Sequence, residues 1–195
     1  MRLHVHKRAF RALGISECFI KGLSEKSVLA GVVLRSDRII DGFTFSRATV
    51  GGMDATDSVI EMYRALGRGD INVLILNGCV ISWYNVIDLQ RVHEETKLPL
   101  ICVTYEESPG LEKYFMELFP EDYERRIEVY RRNGPRTPMR LHTGFEVYVR
   151  FYGMTPEEAK GILNKFTLHG AVPEPLRIAR LLARGIMRSL HPEKR

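Results

Sequence analysis

Three short segments, far apart along the chain, carry the residue types that metal-assisted hydrolysis needs. Gly14-Ile15-Ser16-Glu17 closes an apolar run, Gly51-Gly52-Met53-Asp54-Ala55-Thr56 opens a helical pattern, and Leu76-Asn77-Gly78 ends a second apolar run. Two-metal nucleases gather carboxylates from several segments around two hard cations about 4 Å apart, which activate a water and stabilise the leaving oxygen. The converging positions would offer Ser16 or its neighbour Glu17, then Asp54, then Asn77. These four are the candidate catalytic residues, and Asp54, the unambiguous anion, is the candidate metal ligand. Each also has a plainer use. Asp54 can cap a helix, worth roughly 1 kcal/mol, and Asn77 can bond locally in a turn.

A second set has the chemistry of strand binding. Trp83 and Tyr84 follow the Asn77 turn, where aromatic rings can stack on bases or pack a loop onto the core. Near the carboxyl end Arg177, Arg180, Arg184 and Arg188 recur at spacings of three, four and four, one stripe of a helix. Ile178, Leu182 and Ile186 are expected opposite, flanked by Ala179, Leu181 and Ala183. Such a stripe either tracks phosphates or stands solvated. Net charge is +5 and the pI about 9.2, and the charge is segregated. Arg2, Lys7, Arg8 and Arg11 form one basic block; Arg125, Arg126, Arg131, Arg132, Arg136 and Arg140 form another, beyond an acidic stretch from Glu106 to Glu124.

The elements that must position these residues follow from periodicity. Phe10 to Ile15, Val28 to Leu34 and Ile39 to Arg47 read as three strands of an antiparallel meander, with Gly42 a bulge. Asp54 to Leu66 has helical spacing and ends at Gly67 and Gly69. Ile71 to Leu76 and Pro99 to Thr104 are continuous apolar runs, as in strands buried on both faces. Asn85 to Thr96 reads as a second helix, Leu111 to Phe119 and Tyr123 to Arg131 as two more. Gly134-Pro135 and Pro138 mark a loop before a strand from Phe145 to Phe151. Thr155-Pro156-Glu157-Glu158 starts a helix, with threonine as cap and proline in the first turn. The last helix begins near Pro173. This order predicts an α/β, ribonuclease H-like domain spanning residues 1–195. Its mixed sheet combines a three-strand antiparallel meander with parallel strands and carries helices on both faces.

Composition excludes several classes. The chain has 195 residues, 45% of them hydrophobic and 27% charged, which suits one packed domain. No apolar run approaches the ~18–20 residues that span a bilayer, and no signal core follows the basic start. No membrane partner is expected, and the cytoplasm is the expected location; oligomeric state is left open. Cys18, Cys79 and Cys102 show no CxxC spacing, which argues against disulfides or a zinc knuckle. His4, His6, His93, His142 and His169 make no metal motif, and no dinucleotide, phosphate-loop or serine-hydrolase signature occurs.

Five segments, taken in order, resemble a known family. They are Leu13-Gly14-Ile15, Gly52-Met53-Asp54-Ala55-Thr56, Leu76-Asn77-Gly78, Trp83-Tyr84-Asn85-Val86-Ile87-Asp88 and Pro173-Glu174-Pro175-Leu176-Arg177. The set resembles endonuclease V, and more closely an uncharacterised, mainly archaeal endonuclease V-like family (domain of unknown function 99). Endonuclease V cleaves DNA or RNA near deaminated purines with magnesium. The resemblance therefore implies a nucleic-acid partner, DNA or RNA, and magnesium or manganese as cofactor. It also exposes departures. Ser16 stands where endonuclease V ends its first strand in aspartate, and Ser16-Glu17 where the archaeal family carries Asp-Asp. Asp54 replaces a glutamate, and Asn77-Gly78 replaces Asp-Gly. Tyr152-Gly153-Met154 replaces a histidine segment, and Arg47-Ala48-Thr49-Val50 lacks the aromatic-proline wedge. The leading expectation is a nucleic-acid-binding protein whose metal-nuclease site is depleted, with Asp88 a further candidate. Two alternatives stay open: an active magnesium- or manganese-dependent endonuclease, or a non-enzymatic module whose arginines meet an acidic protein.

Overall fold

A computed structural model describes residues 9–192. The histidines His4 and His6 and the basic residues Arg2, Lys7 and Arg8 lie outside that range. Strands β1 (Arg11–Cys18), β2 (Lys26–Arg35) and β3 (Ile40–Thr49) form the expected antiparallel meander. Val33 pairs with Gly42 but Leu34 with Ile40, so the bulge at Gly42 leaves Asp41 as the extra residue. Helix α1 (Ala55–Ala65) leads to β4 (Val73–Asn77), which pairs parallel with β1. A small hairpin follows, β5 (Val80–Ile81) with β6 (Asn85–Val86), before α2 (Leu89–Thr96) and β7 (Leu100–Thr104). Then come α3 (Glu112–Leu118), α4 (Tyr123–Arg132), β8 (Thr137–Arg140), β9 (Glu146–Tyr152), α5 (Pro156–Phe166) and α6 (Glu174–Leu190).

The main sheet has seven strands in the order β3-β2-β1-β4-β7-β9-β8. Alternation along each strand splits its side chains between two cores. Leu13, Ile15, Leu29, Val33, Leu74 and Leu76 face α1 and α2. Ala12, Leu34, Ile75, Ile101, Val147 and Val149 face α5 and the start of α6. Helices on both faces explain why eight consecutive residues of β2 are buried. Helix α6 lies directly on β1 because residue 14 is glycine. A Cβ there would stand 2.6 Å from Pro175 Cβ and 2.7 Å from its carbonyl carbon.

Four local expectations need correction. Asn85 belongs to a two-residue strand and α2 begins only at Leu89, with Asp88 as its cap accepting from Arg91 N–H at 3.0 Å. The segment around Pro138 is a strand, tolerated because β8 is the sheet edge and its proline owes no ladder hydrogen bond there. Asp54 precedes α1 but its side chain makes no capping bond. On α6 the fully buried stripe is Leu176, Ala179, Ala183 and Met187, while Ile178, Leu182 and Ile186 are half-buried beside it and Leu181 is exposed. Among the described residues no helix is long and apolar enough to cross a membrane.

Candidate functional site

The carboxyl ends of β1, β4 and β7 open on one edge of the sheet, where α/β proteins place their ligands. Strand alternation decides which way each candidate points. Ser16 faces α6 and is buried, its hydroxyl donating to Leu176 O at 3.0 Å. Asn77 follows Leu76, which pairs with Ile15, so it stands beside Ser16 at the rim. Glu17, one residue on, turns to the opposite face beneath the β5–β6 hairpin and accepts the Ser82 backbone N–H. Its Oε2 is buried with no partner. Burial pushes the Glu17 carboxyl above its ordinary value, and the Ser82 N–H and the Arg180 charge only partly offset that. Ser16, Glu17 and Asn77 thus line one cavity with Ile81 and Ile87. It holds only ≈ 10 Å³, room for about one water. On its other side Asn77 borders an open groove of ≈ 310 Å³ that runs past Thr104, Tyr105 and Glu106. The Tyr105 hydroxyl is buried without a partner, and desolvation holds it protonated.

Asp54 does not line that cavity. Its two oxygens accept Thr49 N–H at 2.9 and 3.1 Å, Thr49 Oγ1 at 2.7 Å and Asn85 Nδ2 at 2.7 Å. Burial opposes ionisation there, but these bonds outweigh it and hold the carboxyl below the usual range. Asn85 extends the knot, accepting from Ala55 N–H and donating to Thr49 O. Behind it lies Arg126, 2% exposed, which donates to the carbonyls of Gly51, Gly52 and Tyr84 at 2.7, 3.0 and 2.8 Å and pairs with Asp122. Its guanidinium also stacks on Phe119, 3.8 Å from the ring centroid. Reading Arg126 as one more surface charge misses this role. The Asp122–Arg126 spacing of four signals an ion pair, but nothing local tells that the arginine is buried.

The hairpin is held in an uncommon conformation. Ser82, Trp83 and Tyr84 all have positive φ, at 45°, 55° and 63°, a region costly for residues with side chains. Clamps sustain it: Ser82 Oγ meets Ser27 Oγ at 2.6 Å, Gly51 N–H donates to Ser82 O at 2.8 Å, and Arg126 holds Tyr84 O. Tyr84 packs among Tyr114, Phe115 and Phe119, so its ring fastens the loop rather than standing free for a base. Trp83 is half-buried, with Lys21 Nζ 4.5 Å from its ring centroid.

The two basic blocks differ. Arg131 pairs with Glu112, Arg132 with Asp88 and Glu128, and Arg136 donates to the carbonyls of Glu106 and Ser108, so the block from 125 to 140 is largely spent internally. On α6, Arg177 pairs with Glu174, but exposed Arg180, Arg184 and Arg188 join no ion pair among the described residues. The Arg180 charge acts on Glu17, Cys18 and Tyr105, whereas Arg184 and Arg188 act on Cys18, so the stripe starts at the rim and runs on along β2. Tyr152-Gly153-Met154 sits elsewhere: Tyr152 pairs with Leu100, at the opposite end of β7 from Thr104.

These residues do not fit a pair of divalent cations. Among the described residues no three His, Cys, Asp or Glu side chains stand together as a cage. Asp54 spends both oxygens on protein donors, Ser16 is turned under α6, Asn77 is neutral, and the Glu17 cavity has no room for hydrated metals.

Similarity to known proteins accords with this architecture. A family model described as endonuclease dU matches residues 8–187. A UPF0215 protein of Pyrobaculum calidifontis is 36% identical over 170 residues, covering 87% of this chain and 93% of the relative. A crystal structure of a protein of unknown function from Archaeoglobus fulgidus superposes with a TM-score of 0.77 at 30% identity, covering 91% of this chain and 98% of that one. The endonuclease V of Ciona intestinalis, solved with a 24mer DNA containing an inosine, gives a TM-score of 0.61 at 13% identity, covering 94% and 88%. At that identity the likeness is one of fold, and it is the ribonuclease H-like fold expected from the sequence.

Proposed function

Because this chain belongs to the endonuclease dU family, we propose that it binds a nucleic-acid strand along the rim of its sheet and that the metal-nuclease site implied by the endonuclease V resemblance is dismantled. One observation carries the reading. Arg180, Arg184 and Arg188 are exposed and bound to no acid among the described residues, with Arg180 near Tyr105 at the groove and the other two continuing past Cys18. Such a stripe gains affinity by releasing counterions from phosphates. Lys21 and Trp83 offer a cation and a ring on which a base can stack. The engagement of Asp54 by Thr49 and Asn85 supports binding without metal-assisted hydrolysis. A cytoplasmic location accords with unpaired Cys18, Cys79 and Cys102, since a reducing compartment keeps thiols free.

The family's name points to deoxyuridine, and the Ciona structure holds inosine-containing DNA. Single strands of DNA and RNA carrying either base are therefore the probes. Fluorescence anisotropy between 50 and 200 mM salt should show affinity falling steeply, with a log–log slope near −0.7 per phosphate contact. Binding that ignores salt, or none at all, would favour a module that meets an acidic protein. One observation favours surviving hydrolysis with magnesium or manganese: the unpartnered Oε2 of Glu17 beside Asn77. Cleavage that requires manganese and vanishes in Glu17→Gln would establish that reading instead.

A further inference from the structure

Cys79 and Cys102 form a buried thiol pair that the nucleic-acid reading leaves unused. Cys79 is 2% exposed and follows the Asn77-Gly78 turn; Cys102 is 1% exposed and lies within β7. Cys102 pairs across the ladder with Leu76, three residues before Cys79, and both thiols lie in one core cluster. Arg150, 6% exposed on β9, donates through Nη1 to Cys79 Sγ at 3.3 Å and through Nε to Gly134 O at 2.7 Å. Among the described residues no carboxylate bonds or pairs with Arg150, so its charge is spent on the thiol and on the ring of Tyr130, 5.1 Å away. Arg150 also forms part of the wall of a cavity of ≈ 540 Å³, which opens to solvent past Tyr130, Tyr148 and Gly134. Arg150 thus stands between that cavity and Cys79, which does not itself line it.

We propose that Cys79 is a site of reversible oxidation by hydrogen peroxide and that Cys102 resolves it to an intrachain disulfide. In the first step the Cys79 thiolate attacks peroxide: an S–O bond forms, the O–O bond breaks, and the departing hydroxide takes a proton to leave as water. Cys79 becomes a sulfenic acid. The Cys102 sulfur then attacks that sulfur, forming S–S and breaking S–O. The departing hydroxide takes the Cys102 proton and leaves as a second water. Two thiols are oxidised and one peroxide is reduced to two waters. Interaction with Cys102 and, after it, the Arg150 guanidinium hold the Cys79 thiol below its ordinary value against the desolvation of its burial; the thiolate is the attacking species. Cys18 provides the contrast, since desolvation and Glu17 push its thiol up. The bond would tie the turn after β4 to β7 and lock the root of the hairpin that carries Trp83, because Cys79 O is the acceptor for Ile87 N–H.

The test does not depend on nucleic-acid binding. The folded chain is treated with stoichiometric hydrogen peroxide, quenched, alkylated in denaturant, digested and weighed. The expected product has a Cys79–Cys102 cross-link, one alkylated cysteine at Cys18, and full recovery of three thiols after reduction. In Cys102→Ser, Cys79 should instead be captured by dimedone as its sulfenic acid. Replacing Arg150 with methionine should slow the reaction about tenfold or more, and with lysine much less, as expected for loss of the cation beside the thiolate. Three alkylatable cysteines after peroxide, or oxidation of Cys18 ahead of Cys79, would overturn the proposal.

Discussion

Two acidic residues near the sheet edge have opposite surroundings. Asp54 has each oxygen answered by a donor, and the turn it holds is clamped again by Arg126. Glu17 is more deeply buried, keeps one oxygen without a partner, and lies under a strained hairpin near the α6 arginines. A carboxylate that has spent its lone pairs on protein donors is a structural part. One buried with an orphan oxygen stores an unfavourable arrangement that folding alone does not require. The position that looks most like a metal ligand in the sequence is the one engaged by protein donors, and the ambiguous neighbour of Ser16 is the one that keeps an oxygen without a partner.

The largest effect should come from breaking the well-satisfied region. Arg126→Ala would leave three carbonyls and Asp122 without their donor, and chemical denaturation should register a loss of about 3–5 kcal/mol. A loss under about 1 kcal/mol would mean that the turn holds without the clamp. Gly14→Ala comes next. Its Cβ would press on Pro175 and Leu176 N, at 2.6 and 3.0 Å, so α6 must lift at a cost of about 1–3 kcal/mol. The arginine stripe would shift with it, and affinity for single strands should fall alongside thermal stability.

Smaller and more diagnostic is the pH dependence of the two carboxylates. Asp54 is held below its ordinary value of 3.8, so it contributes stability above that pH and loses it as pH falls through the lower folded value. Asp54→Asn should therefore be less stable than the parent at neutral pH, with the gap closing in acid. Glu17 is raised above 4.5, so its contribution is complete below that pH and is lost as pH rises through the higher folded value. Glu17→Gln should equal the parent in acid and exceed it at neutral pH. Unfolding midpoints across pH 3–8 would show the two curves diverging in opposite senses, and parallel curves would erase the distinction between these residues.

Much of this was legible before any coordinates. The meander, the bulge at Gly42, the parallel strands and the exposed arginine stripe follow from periods of two and 3.6 with glycine punctuation. What escaped was long-range or too short to have a period. Arg126 bonds to Gly51, 75 residues away, and no local pattern reports that burial. The β5 and β6 strands have two residues each, too few to alternate, so Asn85 read as the start of a helix. Pro138 read as a loop because its tolerance depends on β8 being an edge. Asp54 and Glu17 can be named as candidates, but their surroundings are set by partners that chain order does not reveal.

One experiment bears on the central claim most directly. An end-labelled single strand containing deoxyuridine is titrated with the parent chain and with Arg180→Ala/Arg184→Ala/Arg188→Ala, with and without manganese, following bound and cut fractions together. The account predicts salt-sensitive binding that manganese does not alter, a strand left intact, and a salt slope shallower by about 2 in the triple variant. A strand cut only when manganese is present, at a rate the arginine substitutions leave unchanged, would contradict it.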